Sequence, residues 1–217
     1  MGIQVDLLRS IPKSTRNVTE RAEAKSDDVI NVSRQYGFDY FDGDRAFGYG
    51  GYSYDGRWQS VAADLISHFS LREGARVLDV GCAKGFLVKD LLALGIDAYG
   101  IDISTYALMN CEPEVVGRLH LGNAKSLPFP QDSFDAIVSI NTIHNLPREE
   151  CLASLKEIQR LAPGRAYVQV DSYETAAQRD LFESWVLTAM FHGYPTEWLE
   201  LFAEAGYSGD WNWTIVT

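Results

Sequence analysis

The sequence predicts an α/β fold, a single domain whose mostly parallel sheet is flanked by helices. Three observations carry that expectation. From residue 59 onward, short strand-like runs alternate with helical stretches, the pattern of strand–helix–strand units joined by right-handed crossovers. Glycine and proline punctuate the helix ends at Gly95 and Pro163-Gly164. A length of 217 residues, 46% apolar and 23% charged, suits one globular domain with a sizeable core.

The elements follow in order. A helix is expected over Trp58 to Phe69, and a β-branched run, ARVLDV, gives a strand over Ala75 to Val80. An apolar helix covers Gly85 to Leu94, with Gly95 as its terminating glycine, and a second strand spans Asp97 to Asp102. Ser104 can cap a helix running to Cys111, with Pro113 just beyond. Arg118 to Asn123 reads as a third strand, and Phe134 to Ile140, apolar on both faces, as a fourth. Pro147 opens a helix through Leu161, with Leu152, Leu155, Ile158 and Leu161 on one stripe. A fifth strand covers Arg165 to Val170. Helices near Ala176 to Phe191 and Thr196 to Ala205 precede a last strand, Trp211 to Val216.

Two segments precede this alternation. Residues 1–35 are polar with few anchors and are expected to form a flexible arm or a loosely packed helix. Residues 36–58 (YGFDYFDGDRAFGYGGYSYDGRW) cannot be one regular helix because glycines interrupt them. Residues 59–217 form the main domain.

Composition narrows the function classes. A formal charge of −11 without a basic run argues against nucleic acid, whose binding draws on Lys and Arg at phosphates. No apolar run is long enough to span a bilayer, and the amino terminus lacks the pattern of a secretory signal. Cys82, Cys111 and Cys151 show no metal-ligand spacing, so no metal is expected; their odd count points to reduced thiols and the cytoplasm.

Open parallel sheets bind ligands beyond the carboxyl ends of their strands, where strand order switches. Those positions are the unusual ones here. After the first strand comes Asp79-Val80-Gly81-Cys82-Ala83-Lys84-Gly85. Gly81 and Gly85 permit a tight turn and a close ligand approach, and the following helix N-terminus offers free N–H groups. Asp79 either serves a ligand or caps the loop. Asp102, about twenty residues beyond Gly81, fits bidentate hydrogen bonding to ribose hydroxyls, the alternative being a loop carboxylate. Asn123 and Ala124, after the third strand, can read a base edge, although asparagine also ends strands for structural reasons.

Together these segments resemble the class I S-adenosylmethionine (SAM)-dependent methyltransferases. VLDVGCAKG resembles the family's first motif, YGIDIS its ribose-binding acid, GNAKSLPFPQDSFDAIVSINTIHNL its adenine loop and fourth strand, and LKEIQRLAPGRAYVQV the helix and strand that follow. The resemblance runs over about residues 58 to 175. It implies a Rossmann-like sheet of seven strands or nearly so, with SAM as cofactor and S-adenosylhomocysteine as product. Asp79, Gly81, Ala83 and Gly85 would line the methionine portion. Asp102 would hold the ribose, with Ile103 packing on the adenine and Asn123 and Ala124 facing it. Ser139, Ile140 and Asn141 would lie near the amino group and sulfonium. Ala83 stands where the family's middle glycine is usual, and Asn123 where it often has aspartate. A dinucleotide is disfavoured, because its fingerprint needs glycine where Ala83 and Phe86 stand.

Methyl transfer from a sulfonium requires alignment, proton removal where needed, and exclusion of water. His144, in Asn141-Thr142-Ile143-His144-Asn145, is the candidate general base, its alternative being a role in ordering the loop. Asp171 and Tyr173 follow the fifth strand; Asp171 can bind an amine, deprotonate a hydroxyl, or cap the next helix. Phe47 to Trp58, with Tyr52 among its tyrosines, is either a lid over the cofactor or an aromatic loop packed on the sheet edge. Arg57 is placed to pair with the SAM carboxylate or an anionic substrate group. His192, Tyr194, Trp211 and Trp213 are candidates for the substrate wall, and Trp198 for the core. The expected function is methyl transfer to oxygen or nitrogen of a small polar metabolite. The alternatives are a protein or peptide methyltransferase, or a catalytically silent SAM-binding partner.

Overall fold

The computed structural model describes residues 2–11 and 18–215. Three short helices come first: α1 (Val18–Ala24), α2 (Asp27–Ser33) and α3 (Phe38–Phe41). The alternating unit then runs α4 (Trp58–His68), β1 (Arg76–Val80), α5 (Phe86–Ala93), β2 (Asp97–Asp102), α6 (Thr105–Met109), β3 (Leu119–Leu121), β4 (Ala136–Ile140), α7 (Arg148–Leu161), β5 (Ala166–Asp171), α8 (Ala176–Trp185), α9 (Pro195–Ala205) and β6 (Asp210–Thr214).

The strands form one six-stranded sheet in the order β3-β2-β1-β4-β5-β6. Every pairing among the described residues is parallel. That includes the last strand: β6 lies directly beside β5, in register from Tyr167↔Asp210 to Asp171↔Thr214. The helix before it continues from Pro195, whose fixed φ suits a first helical turn, to a left-handed Gly206. The preceding helix stops at Trp185, six residues short of expectation. Its continuation is drawn off because the Met190 and Phe191 N–H groups donate to the His144 carbonyl.

β1 is buried along Val77 to Val80 because it sits mid-sheet, with β2 on one side and β4 on the other. Chain order changes direction between β1 and β4, so the crevice opens at their carboxyl ends. One face of the sheet packs the α7 stripe with Trp198, Phe202, Trp211 and Trp213; the other packs α4 and α5. Trp211 and Trp213 thus belong to the core and not to a substrate wall, Trp213 stacking on Phe202 at 6.0 Å. Trp198 is fully buried and donates its indole N–H to the Asp171 carbonyl at 3.1 Å.

The described parts of the polar leader are held by specific contacts. Val5 N–H donates to the Trp211 carbonyl at 2.9 Å and Trp211 N–H to the Ile3 carbonyl at 3.1 Å, extending the sheet beyond β6, and Leu7 is buried. Ser26 caps α2, its hydroxyl accepting from Val29 N–H.

Candidate functional site

Two hollows lie at the carboxyl ends of the central strands and share Tyr49, Gly81, Ala83, Asn141 and Thr142. The first runs over the tips of β1 and β2, with Asp102, Ile103, Gly122, Asn123 and Ala124 along one side. The second holds Asp79, Tyr52, Trp58, Phe86 and Ile140. Ten of the expected ligand contacts line this cleft; Gly85, Ser139 and Arg57 do not.

The loop after β1 is built around Gly81. Its φ is +85°, and a Cβ there would stand 2.1 Å from Thr142 Oγ1, so no side chain fits between the tips of β1 and β4. Ala83 also takes a left-handed φ of +49°, an uncommon conformation for a residue with a Cβ. Its N–H donates to Asp102 Oδ2 at 2.8 Å, which ties the β1 loop to the β2 tip. Gly85 serves packing instead. A Cβ on it would meet Leu119 Cδ1 at 2.9 Å, so it admits β3 and not a ligand.

The two cleft acids differ in their partners. Asp102, which lines the first hollow, accepts Ser104 N–H on Oδ1 at 2.8 Å and Ala83 N–H on Oδ2, and a carboxylate's two oxygens can accept further bonds. Burial raises its pKa against the N–H groups that favour its charge. Ser104 separately caps α6 through Ala107 N–H, so capping and the carboxylate are distinct roles. Asp79 is 6% exposed, and no basic group of the described residues acts on it; burial and the nearby Asp102 charge push its pKa up to about 7. A buried carboxylate without a cation is costly unless a ligand supplies one. Asn123 turns its Oδ1 to Lys125 N–H at 3.0 Å, which fixes the loop and leaves the amide NH₂ as its donor.

Upstream of α4, an aromatic segment lines the cleft. Tyr36, Tyr40, Phe41 and Tyr49 line the first hollow, and Tyr52 stacks on Phe86 at 4.7 Å in the second. The segment is latched at Asp42, which accepts Lys84 Nζ at 2.6 Å, Tyr106 Oη–H at 2.7 Å and Tyr52 N–H at 2.9 Å. Burial alone would raise the Asp42 pKa, but these donors outweigh it and hold the carboxyl below its usual range. Lys84 also donates to the Tyr52 carbonyl at 2.9 Å, so the β1 loop holds the segment directly. Ser104 Oγ–H donates to the Tyr36 carbonyl at 2.6 Å.

Arg57 is spent on Asp55, 2.5 Å away, because an acid two residues earlier captures it on the surface. His144 is 4% exposed and lines neither hollow. Its Nδ1 accepts Asp171 N–H at 3.0 Å, which places the ring proton on Nε2, 3.4 Å from Asp171 Oδ2. Burial lowers its pKa. The pair therefore joins the loop after β4 to the end of β5, and neither residue lines the hollows. Ser139 is also buried, donating to the Val80 carbonyl at 3.2 Å. His192 and Tyr194 pack with Tyr173 in a separate aromatic cluster.

Tyr36, Tyr40, Phe41, Tyr49, Thr142, Asn145 and Leu146 line the cleft without having been singled out in the sequence. Thr142 and Asn145 lie in the run around His144. The tyrosines lie in or beside the expected lid, but only contacts distant in sequence choose which rings turn inward.

Residues 78–170 match a family model described as a methyltransferase domain. The chain is 29% identical over 131 residues to a demethylmenaquinone methyltransferase of Symbiobacterium thermophilum, covering 54% of this chain and 50% of that protein. It is 35% identical over 113 residues to a probable tRNA methyltransferase 9B of Mus musculus, covering 49% of this chain and 24% of the other. The chain thus spans half or less of the length of these two relatives. Among solved structures, a putative methyltransferase of Haloferax volcanii, in complex with the Trm112 methyltransferase activator, superposes with a TM-score of 0.55 at 26% identity over 69% of this chain and 67% of that one.

Proposed function

We propose that the chain, whose residues 78–170 match a methyltransferase domain, is a class I SAM-dependent methyltransferase that binds SAM in the cleft at the β1–β4 switch and transfers the methyl group to oxygen or nitrogen of a small polar metabolite. The observation that carries the proposal is two carboxylates along one cleft, the half-buried Asp102 at the β2 tip and the buried Asp79, which lacks a cation. When bound, SAM supplies a methyl group activated on a sulfonium, together with an ammonium that suits Asp79.

The residues present fit that cofactor. Asp102 keeps acceptor capacity on both oxygens for two ribose hydroxyls. Gly81 leaves a cradle that any side chain would fill. Ile103, Asn123, Ala124 and Leu146 offer a flat apolar slot with one amide for a base. Tyr49, Gly81, Asn141 and Thr142 line both hollows, and an aromatic segment closing over that strip would shield it from water and strengthen electrostatic interactions there.

The small-metabolite reading is supported by a net charge of −11 and by a cleft lined by carboxylates and aromatic rings, both poorly suited to a polyanion. No helix of the described residues is long and apolar enough to cross a membrane. The cysteines are unpaired, which supports a reducing compartment such as the cytoplasm. Release of S-adenosylhomocysteine on adding a small-metabolite extract to protein and SAM tests the reading. Release only with added tRNA or protein would overturn the substrate class, and no release from any of them would leave a silent SAM-binding protein.

A further inference from the structure

We infer that the methyl acceptor is an aliphatic amine, received against the tyrosine wall and methylated on nitrogen; this deepens the methyltransferase reading above and rests on it. The first observation is charge. Among the described residues lining the two hollows, the ionisable acids are Asp79 and Asp102, and no Lys, Arg or His side chain lines either one. The nearby bases are already committed: Lys84 to Asp42 at 2.6 Å, Arg57 to Asp55 at 2.5 Å and Lys125 to Glu150 at 2.5 Å. The cofactor brings a sulfonium, an ammonium and a carboxylate, a single net positive charge against two carboxylates. The loaded cleft keeps a negative excess that repels an anionic acceptor and draws a cation.

The second observation is the wall itself. Tyr36 and Tyr40 meet edge to face at 5.2 Å, Tyr40 and Tyr49 likewise at 5.2 Å, and Tyr49 and Tyr52 stand 4.4 Å apart. Tyr36, Tyr40 and Tyr49 line the first hollow and Tyr49 and Tyr52 the second, so an organic cation bound there meets phenol rings, whose π-systems attract it. The third observation is the missing proton acceptor. His144 is buried with Nδ1 occupied by Asp171 N–H, and Asp171 lines neither hollow. Both cleft carboxylates are spoken for by the cofactor. An alcohol would have to lose its proton for efficient attack, and no free base among the described residues lines the cleft to take it.

An aliphatic ammonium is a far stronger acid than an alcohol, so on entering the cleft it gives its proton to water, and the neutral amine left behind needs no resident base. Its nitrogen lone pair forms the N–C bond to the methyl carbon as the S–C bond breaks, with that bond's electrons staying on sulfur. The positive charge passes from sulfur to nitrogen within reach of the rings and carboxylates, and the new ammonium gives its proton to water afterwards.

Three probes of one skeleton test the inference: cyclohexylamine, cyclohexanol and cyclohexanecarboxylate, titrated calorimetrically into the full chain saturated with S-adenosylhomocysteine. The amine should bind at least tenfold more tightly than the alcohol, and the carboxylate should not bind. Equal affinity for amine and alcohol, preference for the carboxylate, or no binding by all three would overturn the amine assignment while leaving the methyltransferase reading intact. Failure of the chain to take up S-adenosylhomocysteine in the first step would overturn both.

Discussion

Asp79 carries most of the chemistry expected of the cleft at the level of single residues. Its pKa is raised to about 7 by burial and by Asp102, so the folded, ligand-free protein holds a proton more tightly than the unfolded chain does. The stability of the free protein should therefore fall as pH rises from the ordinary carboxylate range toward about 7, then level with respect to this group. SAM affinity should run the other way, because an ammonium is held by the ionised form. Below pH 7 the affinity should rise by up to about tenfold per unit, and Asp79→Asn should flatten both profiles. Calorimetric titrations from about pH 5.5 to 7.5, spanning the shifted pKa, check this; a flat wild-type profile would contradict it. Ala83, at φ +49°, makes a second case. Ala83→Gly relieves left-handed strain but loosens the unfolded chain, for a net gain of up to about 1 kcal/mol by urea unfolding. His144→Ala removes the buried acceptor of Asp171 N–H and opens a cavity. A loss of about 2–4 kcal/mol in stability is expected, with SAM affinity little changed.

Among the elements, the aromatic segment depends on the Lys84–Asp42 latch, whose side chains are 10% and 23% exposed. Asp42→Asn strands a nearly buried ammonium. Protease cleavage within residues 36–58 should become faster and SAM should dissociate sooner. Adding Lys84→Met should recover stability relative to Asp42→Asn alone, since it removes the orphaned charge; further loss would show that the latch does not act as a pair. The central strands and their helices were legible in the sequence because β-branched runs, Ser104 and the terminating glycines act locally. β2 runs from Asp97 to Asp102 as its residue pattern indicates. The carbonyl that ends α8 early comes from His144, and the strand beside β5 is chosen by pairing across the sheet; neither signal lies within its own segment. The same division holds in the cleft. That Asp79, Gly81 and Asp102 line the cleft follows from their places just beyond strand ends. Gly85 and Arg57 do not line it, because they are drawn to Leu119 and Asp55, contacts that lie outside the motif.

Across the whole molecule, the amino-terminal residues close the sheet at the end opposite β3. Ile3 and Val5 bond to Trp211, and Leu7 is 3% exposed in the cluster that packs α4 and α5. Leu7→Ala should cost about 2–4 kcal/mol, measured by urea unfolding, despite its distance from the cleft. The account rests most heavily on SAM lying across the β1–β4 switch with its ribose on Asp102. Calorimetric titration of SAM into the wild-type protein and into Asp102→Ala tests this directly. The account predicts one site on the wild type and at least a hundredfold loss in the variant; equal binding by both proteins, or a wild type that takes NAD and ignores SAM, would contradict it.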